Sequence, residues 1–211
     1  MKYSTQERIE SLLTTIDQLG MVKIKHLQQI HDLKSYRNAC RVVKQLGPYI
    51  NETYYMKEKV IYLNKQGKDL IGSTKDDNKK HFMAHTFLRN EVFIYFNCPH
   101  DWKNEQPLEA TIKPANSLGV QFKHLSLGAK KKVICDAVFK RNGYLHLIEV
   151  DNARKMIDNK KKIEIYKEIL PAFKEQTPIL YFFTTTEDRK RKLKEQLQSV
   201  RNQVITFNEI N

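Results

Sequence analysis

Cysteine and glycine are scarce in this chain, and their placement excludes several kinds of site. The 211 residues include three cysteines, Cys40, Cys98 and Cys135, with no Cys-x-x-Cys pair. Three widely spaced cysteines indicate neither a disulfide framework nor a zinc ribbon, so we interpret them as small buried apolar residues. The seven glycines are scattered and form no glycine-rich phosphate loop.

Long apolar runs are also missing. No segment approaches the roughly 18 apolar residues that a membrane-spanning helix requires. The first four residues lead into an amphipathic pattern instead of the apolar core of a signal peptide, so we expect a cytoplasmic protein that does not enter a membrane. A hydrophobic content of 40% is ample for a folded core and excludes a disordered chain.

Acidic residues are too few to balance the basic ones. The chain has 37 Lys and Arg against 24 Asp and Glu, which gives a formal net charge of +13 at pH 7. Such an excess predicts attraction to a polyanion, either nucleic acid or an anionic membrane surface.

The first 72 residues follow the pattern of a winged helix-turn-helix. Apolar residues at helical spacing predict a helix over 5–19, a second over 26–31, and a third that begins after Ser35 as its N-cap. Gly47-Pro48 ends the third helix, and two strands are predicted beyond it, turning at Lys57-Glu58-Lys59. Three helices and a hairpin also suit a protein-binding module, which is the alternative at this point.

The third predicted helix carries an outward row of polar residues. In a helix-turn-helix the second helix of the motif lies in the major groove, where arginine and asparagine can read bases and lysines contact phosphates. The predicted DNA-binding residues are Tyr36, Arg37, Asn38, Arg41, Lys44, Lys57 and Lys59. Because such modules normally read symmetrical sites, we also expect a homodimer on double-stranded DNA.

A polar segment over 73–80 predicts a linker, which divides the chain into domains 1–72 and 81–211. The second domain opens with an apolar helix over 81–96 that we expect to pack against a sheet. The predicted strands are 102–112, the two arms of a hairpin over 133–151, the buried run 178–184 and 204–207, with a loop or short hairpin over 117–132. Thr186 is the predicted N-cap of a helix over 187–200, on which Arg189 belongs to a basic ridge. The predicted fold class is therefore α+β or α/β.

The hairpin contains the most informative residues of the sequence. Asn142-Gly143 is a strong signal for a two-residue type I′ turn, since both residues must adopt positive φ. With that turn Asp136 lies opposite Glu149, and Asp151 shares the face of Glu149. Opposed carboxylates require a cation, a shared proton or a nearby lysine, and hard oxygen ligands suit Mg²⁺ or Mn²⁺. A pair that is merely tolerated at a solvated sheet edge is the other interpretation.

This arrangement resembles the PD-(D/E)xK nuclease fold, in which an acid on one strand faces an acid-x-lysine sequence on the next. Here Asp151 stands where the lysine is usual, which puts catalysis in question. The lysines of the following helix, Lys155, Lys160, Lys161 and Lys162, are candidates to supply the missing ammonium, although a solvated helix face is the commoner explanation of such a run. Lys160 is the one that we assign to the site.

A narrower resemblance is to the replication-relaxation family of bacterial plasmid and mobile-element proteins, which combine a winged helix with a nuclease-like domain. The similar segments are Cys135-Asp136-Ala137, Glu149-Val150-Asp151, the helix from Lys160 to Tyr166, His85 to Val92, and Trp102 with Glu105. The resemblance implies a DNA-binding protein of plasmid replication or relaxation, working with replication or relaxase proteins. Glu91, on the first helix of such a domain, is a further candidate metal ligand.

The sequence therefore predicts a DNA-binding protein whose nuclease-like domain is inactive or weak. The candidate catalytic residues are Asp136, Glu149, Asp151 and Lys160, and the candidate Mg²⁺ or Mn²⁺ ligands are Asp136, Glu149, Asp151 and Glu91. A metal-dependent DNA endonuclease is the first alternative, and a protein-binding adaptor in a relaxation complex is the second.

Overall fold

The chain divides into two compact units, residues 1–100 and 101–211, and both mix helices with antiparallel strands. The computed structural model describes residues 5–75, 82–112, 129–152 and 155–210. Most of the predicted linker, Asp76–Lys80, and the greater part of the predicted 117–132 loop lie outside the described residues. No helix within these ranges is long and apolar enough to cross a bilayer.

The described residues of the first unit form five α-helices and a three-stranded antiparallel sheet. Its elements are α1 (Thr5–Leu19), β1 (Val22–Lys23), α2 (Ile24–Ile30), α3 (Tyr36–Gln45), β2 (Ile50–Tyr55), β3 (Glu58–Leu63), α4 (Lys65–Ile71) and α5 (Met83–Tyr95). The sheet has the strand order β1-β3-β2. The predicted cap of α3 is confirmed, because the Ser35 hydroxyl accepts a hydrogen bond from the Asn38 amide at 3.2 Å.

Helix α5 packs within the first unit, whereas the sequence analysis expected it against the sheet of the second. Its Asn90 side chain donates to the Met21 carbonyl at 2.8 Å, and its Phe87 packs against Met21 and Val60. The apolar residues of α5 correctly predicted a buried helix, but they did not indicate which part of the fold the helix packs against. The compact division therefore comes at His100, beyond the predicted linker at 73–80.

The turn between β2 and β3 is shorter than predicted and lies earlier in the chain. Tyr55 pairs with Glu58, so the turn is Met56-Lys57, and both residues have positive φ, 49° and 66°. The prediction of a turn at Lys57-Glu58-Lys59 is wrong because two non-glycine residues accept the left-handed conformation. Lys59 consequently lies in strand β3 opposite Tyr54.

In the part of the second unit that the structure describes, a five-stranded mixed sheet is accompanied by two α-helices. Its elements are β4 (Lys103–Ile112), β5 (Ala129–Arg141), β6 (Tyr144–Asp151), α6 (Met156–Ile169), β7 (Pro178–Thr184), α7 (Glu187–Gln196) and β8 (Asn202–Thr206). The strand order is β4-β5-β6-β7-β8, antiparallel from β4 to β6 and parallel from β6 to β8. The strands predicted at 102–112, 178–184 and 204–207 are confirmed within two residues.

The two helices cover the same side of this sheet. Buried residues of β5, β6 and β7 form one core with Ile163 and Tyr166 of α6 and Leu193 of α7. The opposite side carries a row of stacked rings, in which His146 lies 4.4 Å from Phe139 between ring centroids. The acidic residues of the hairpin come to the helix-covered side, where the low dielectric amplifies every charge that is not paired.

Gly67 in α4 provides a steric test of the first unit. A Cβ atom added at Gly67 would lie 2.2 Å from the Tyr49 carbonyl oxygen, and that oxygen accepts from the Asn64 amide. We expect Gly67→Ala to lower the free energy of unfolding by about 1–3 kcal/mol, because backbone must move to admit the methyl group.

Gly47→Ala is the matched control for that substitution. A Cβ at Gly47 meets nothing within 4 Å, so its effect should stay within about 0.5 kcal/mol. Urea unfolding of the two variants measures the difference, and equal effects would contradict the steric account.

Candidate functional site

The Asn142-Gly143 turn brings Asp136 next to Glu149, as the sequence analysis predicted. Asn142 and Gly143 have φ of 52° and 79°, and β5 pairs with β6 from Arg141↔Tyr144 to Ala137↔Ile148. Beyond the last of these pairs, the Val150 amide donates to the Asp136 carboxylate at 2.7 Å. The two acids are close enough for the charge of Asp136 to act on Glu149.

Strand β5 departs from regular alternation at Asp136. Cys135 and Val138 would face opposite sides of a regular strand, yet both pack into the core beneath α6 and α7. The β4–β5 pairing also omits the step between Asn104↔Ala137 and Gln106↔Cys135, where Glu105 has a φ of 51°. Asp136 therefore occupies an irregular position in the strand, of the kind that often re-aims a side chain next to a functional site.

Glu149 is buried, with 3% of its surface exposed, and two groups of α6 bind its carboxylate. The Lys162 ammonium donates to Oε2 at 2.5 Å, and the Tyr166 hydroxyl donates to Oε1. Burial and the neighbouring Asp136 raise the pKa of Glu149 to about 8, against the opposing effect of Lys162. A carboxyl group with such a pKa can hold or release a proton near neutral pH.

Cys135 extends this network away from the acids. Its thiol lies 2.9 Å from the Tyr166 hydroxyl, and because that hydroxyl donates to Glu149, the thiol is the donor to Tyr166. Burial, and then the charge of Glu149, raise the pKa of Cys135 to about 12 and that of Tyr166 well above its usual value. Both groups are therefore neutral and position Glu149 through hydrogen bonds.

Asp151 shares the helix-covered side with Glu149 but is fully occupied. Arg189 of α7 binds both of its oxygens, at 2.6 Å and 2.7 Å, and Asn159 of α6 and Thr184 of β7 add bonds of 3.0 Å and 2.8 Å. Burial alone would raise the pKa of Asp151, but these donors outweigh it and lower the pKa. Asp151 therefore acts as a structural anion and has no free oxygen lone pair directed at a cation.

The ammonium beside the acids belongs to Lys162, whereas the sequence analysis assigned Lys160. Lys160 is exposed on α6, and the buried residues of that helix are Asn159, Ile163, Tyr166 and Ile169. Lys162 precedes Tyr166 by four residues and so shares its face, whereas Lys160 lies on the outer side. The same helical periodicity, applied to the apolar residues of 156–169, would have selected Lys162.

Glu91, the fourth candidate metal ligand, lies in the first unit and is engaged there. Lys25 contacts its carboxylate at 2.8 Å, and the buried His26 does so at 3.2 Å. Burial would raise the pKa of Glu91, but the hydrogen bonds from His26 and Lys25 lower it to about 2. These contacts give Glu91 the role of attaching α5 to α2. Among the described residues no group of three or more His, Cys, Asp or Glu side chains is arranged around a metal position.

The predicted DNA-binding residues of α3 form one exposed row with one exception. Tyr36, Arg37, Arg41 and Lys44 are exposed, and Asn38 is half-buried. The Asn38 amide donates to the Leu33 carbonyl at 2.9 Å and accepts from Arg41 at 2.8 Å. Asn38 thus caps the turn before α3 and orients Arg41, which leaves little of its amide for a base.

The two predicted lysines of the β2–β3 hairpin differ in their surroundings. The Lys59 ammonium donates to the Glu52 carboxylate at 2.5 Å across the hairpin, and this hydrogen bond is the largest of the effects that raise the Lys59 pKa. Lys57 is exposed at the turn. The Lys59 charge is therefore partly compensated before any phosphate approaches.

Sequence reasoning missed the partners that determine the state of the acids. The sequence analysis places Arg189 on a basic ridge and assigns no role beside the acids to Asn159, Thr184 or Tyr166. A weak signal existed for Arg189, because Thr186 was correctly predicted as the cap of α7, and its hydroxyl accepts from the Arg189 amide at 3.3 Å. This places Arg189 at the third position of a helix that begins beside the ends of β6 and β7.

Comparisons with known proteins show no family for this chain. No family model matches the sequence, and no curated protein matches it. The crystal structure of protein VC1899 from Vibrio cholerae is similar at a TM-score of 0.37 and 16% identity, over 96% of this chain and 49% of VC1899. The chain thus spans about half the length of VC1899, and a similarity this low carries no argument about function.

Removal of Arg189 should show how strongly an unpaired, buried Asp151 carboxylate destabilises the folded protein. We expect Arg189→Ala to lower the free energy of unfolding by about 3–5 kcal/mol, because the carboxylate would stay buried without its counter-ion. Arg191→Ala is the control on the same helix, since Arg191 pairs with Asp188 at the surface and should contribute at most about 1 kcal/mol. Chemical denaturation of both variants decides, and similar losses would contradict the anchoring role.

Glu149 should also make stability depend on pH. Its pKa of about 8 in the folded protein exceeds the unfolded value near 4.5, so the folded state binds the extra proton between these values. The contribution is fully present below about pH 4.5 and is lost as the pH rises through about 8. Glu149→Gln, which cannot ionise, should flatten the decline that wild type shows between about pH 5 and 8 in urea titrations. An unchanged slope would show that Glu149 ionises normally.

Proposed function

We propose that this chain is a cytoplasmic DNA-binding protein that acts in replication or relaxation of a plasmid or mobile element. The observation that carries the proposal is the exposed row of Arg37, Arg41 and Lys44 on α3, in a chain with a net charge of +13. An outward cationic helix on a compact unit is suited to phosphates and to base edges in the major groove. The biological setting rests on the sequence resemblance alone.

We interpret the first unit as a winged helix. Its order of helix, short strand, two helices and a hairpin supports this interpretation, with α3 as the helix that would enter the groove. Arg41 is favoured as a base-reading residue because Asn38 holds its guanidinium. Arg37 and Lys44 add exposed charge on either side of it.

We interpret the second unit as a nuclease-like domain with little or no cleavage activity. Two acids on adjacent antiparallel strands, Asp136 and Glu149, support this interpretation. The helix that follows them, α6, places Lys162 in contact with Glu149. Cleavage should be poor because Lys162 forms an ion pair with Glu149 and is not free to contact a phosphate. Asp151, which stands at the usual lysine position, forms an ion pair with Arg189.

The site fits a hydrated divalent cation with few protein ligands. Asp136 and Glu149 offer hard carboxylate oxygens, which suit Mg²⁺ or Mn²⁺, and Mg²⁺ usually keeps several waters. When bound, such an ion would polarise a phosphoryl oxygen and lower the pKa of bound water. Lys162 competes for the Glu149 carboxylate, so we expect weaker binding than three free acids would give.

A metal-dependent DNA endonuclease is the second candidate, and one contact favours it. Lys162 lies 2.5 Å from Glu149 and brings to the acids a positive charge that the sequence lacks at position 151. If Lys162 moved to a phosphate oxygen when DNA binds, it would stabilise the charge of the transition state.

Substitutions on α3 test the DNA-binding proposal in the full chain. Arg41→Ala should cost roughly 1–3 kcal/mol on a preferred duplex and relax sequence choice, because a bidentate base contact is lost. Lys44→Ala should weaken binding to all sequences alike and reduce the salt slope by about 1, because one phosphate contact disappears. Fluorescence anisotropy with labelled duplexes at several salt concentrations measures both.

Lys59→Ala is the control for that experiment. It also removes one positive charge from the first unit, but Glu52 already compensates that charge, so the salt slope should change less than with Lys44→Ala. Wild-type protein that binds no duplex at low salt would refute the proposed function.

Calorimetry and a plasmid assay test the second unit. We expect weak Mg²⁺ or Mn²⁺ binding that Asp136→Ala abolishes, together with largely intact supercoiled DNA, because the site lacks a free lysine. Robust cleavage that Lys162→Ala abolishes and Lys160→Ala leaves unchanged would instead establish the endonuclease. The Lys160 variant removes the same charge from the outer side of α6 and serves as the matched control.

A further inference from the structure

The β2–β3 hairpin displays large apolar side chains in solvent. Met56 is 80% exposed, and Tyr54 is 66% exposed, which are the two highest values among the large hydrophobic residues in the described part of the chain. Tyr36, at the start of α3, is 53% exposed. We call Tyr36, Tyr54 and Met56 the hairpin patch. Burying such side chains is favourable, so an apolar group of this kind indicates an interface.

Tyr54 and Met56 are neighbours on the hairpin, and Tyr36 lies within electrostatic range of two hairpin residues. Tyr54 pairs with Lys59 across the hairpin, and Met56 follows two positions later at the turn. The Tyr36 hydroxyl is near enough to Glu58 and Lys59 for both charges to affect its pKa, which burial and Cys40 raise first. The patch therefore combines two exposed residues of the hairpin with one at the start of α3.

Strand β2 is also an outer strand. In the order β1-β3-β2 it pairs with β3 alone among the described strands. The residues that flank a two-residue turn form a hydrogen-bonded pair, here Tyr55 and Glu58, and bonding alternates along the ladder. The backbone N–H groups of Glu52 and Tyr54 consequently point away from β3. Such an edge is a template for another strand.

Local charge distinguishes a protein partner from DNA at this surface. The hairpin over 50–63 carries Lys57 and Lys59 against Glu52 and Glu58, which sum to zero in a chain of net charge +13. Lys59 binds Glu52, and Lys23 of β1 binds Glu58. With two carboxylates, the hairpin offers less to a polyanion than the cationic row of α3 does, whereas two strongly basic chains repel each other least where they are locally neutral.

We propose that β2 pairs antiparallel with β2 of a second copy of this chain around a two-fold axis. The two sheets would join into one of six strands centred near Thr53, so that the two Tyr54 side chains lie beside the two-fold axis and each Met56 lies against the far end of the other copy's β2. Antiparallel pairing makes the strand self-complementary, as an isologous dimer interface requires. The six large side chains are each more than half exposed in one chain, and aromatic and methionine residues are enriched in interface cores.

Sedimentation equilibrium of the full chain without DNA tests the dimer independently of DNA binding. Wild type should form a dimer, and Tyr54→Glu should raise its dissociation constant at least about tenfold, because a charge would enter the apolar interface. Met56→Asp, which lies in the turn and not in the strand, should do the same. Ile157→Glu is the control, since Ile157 is 56% exposed on α6 of the second unit and is distant from the hairpin in sequence.

Hydrogen exchange supplies a readout specific to strand pairing. The amides of Glu52 and Tyr54 should be protected in the wild-type dimer and should exchange faster in Met56→Asp, with circular dichroism confirming that the variant is folded. A monomeric wild type, a dimer unaffected by both hairpin variants, or a dimer disrupted equally by Ile157→Glu would overturn the proposal. Variants that weaken duplex binding while leaving the mass unchanged would assign the patch to DNA and overturn it too.

Discussion

The pair of Asp151 and Arg189 determines the architecture of the second unit. Asp151 ends β6, and Thr184, which donates to it, ends the neighbouring β7; Arg189 comes from the first turn of α7, and Asn159 comes from α6. One carboxylate therefore ties two strands and two helices together at the same edge of the sheet. Because Asp151 is 2% exposed, its charge is supportable only while these donors are present. The position of α6, and with it of Lys162, depends on this junction.

Two acids on one face of one strand consequently have opposite properties. Asp151 receives an arginine and two neutral donors and stays ionised, whereas Glu149 lies next to Asp136 and has its pKa raised to about 8. The difference separates a structural carboxylate from one that can exchange protons. It also means that the acidic cluster is less negative than three carboxylates would be. The residues that position the acids, and Lys162 in particular, compensate part of their negative charge and so weaken the attraction for a metal cation.

Local rules predicted a large part of this structure. The Asn142-Gly143 turn gave the register of β5 with β6, and the caps at Ser35 and Thr186 gave the starts of two helices. These features depend on a few neighbouring residues, so one sequence suffices to find them. Partners distant in sequence were not predictable in this way, and the contact between Glu91 and His26 spans 65 positions. The turn predicted that Asp136 lies near Glu149, but it did not predict the break in alternation at Asp136, because that break arises from irregular backbone in two adjacent strands.

The hydrogen-bonded thiol of Cys135 has a practical consequence for chemical labelling. With a pKa of about 12 and no exposed surface, it presents almost no thiolate to an alkylating reagent at neutral pH. Cys40 and Cys98 are only half-buried, so a maleimide dye should modify them first in the native protein. Slow modification of Cys135 would then report each moment at which α6 lifts from the sheet. The rate at which Cys135 is modified, measured by mass spectrometry, therefore reports local opening around Glu149 without any engineered probe.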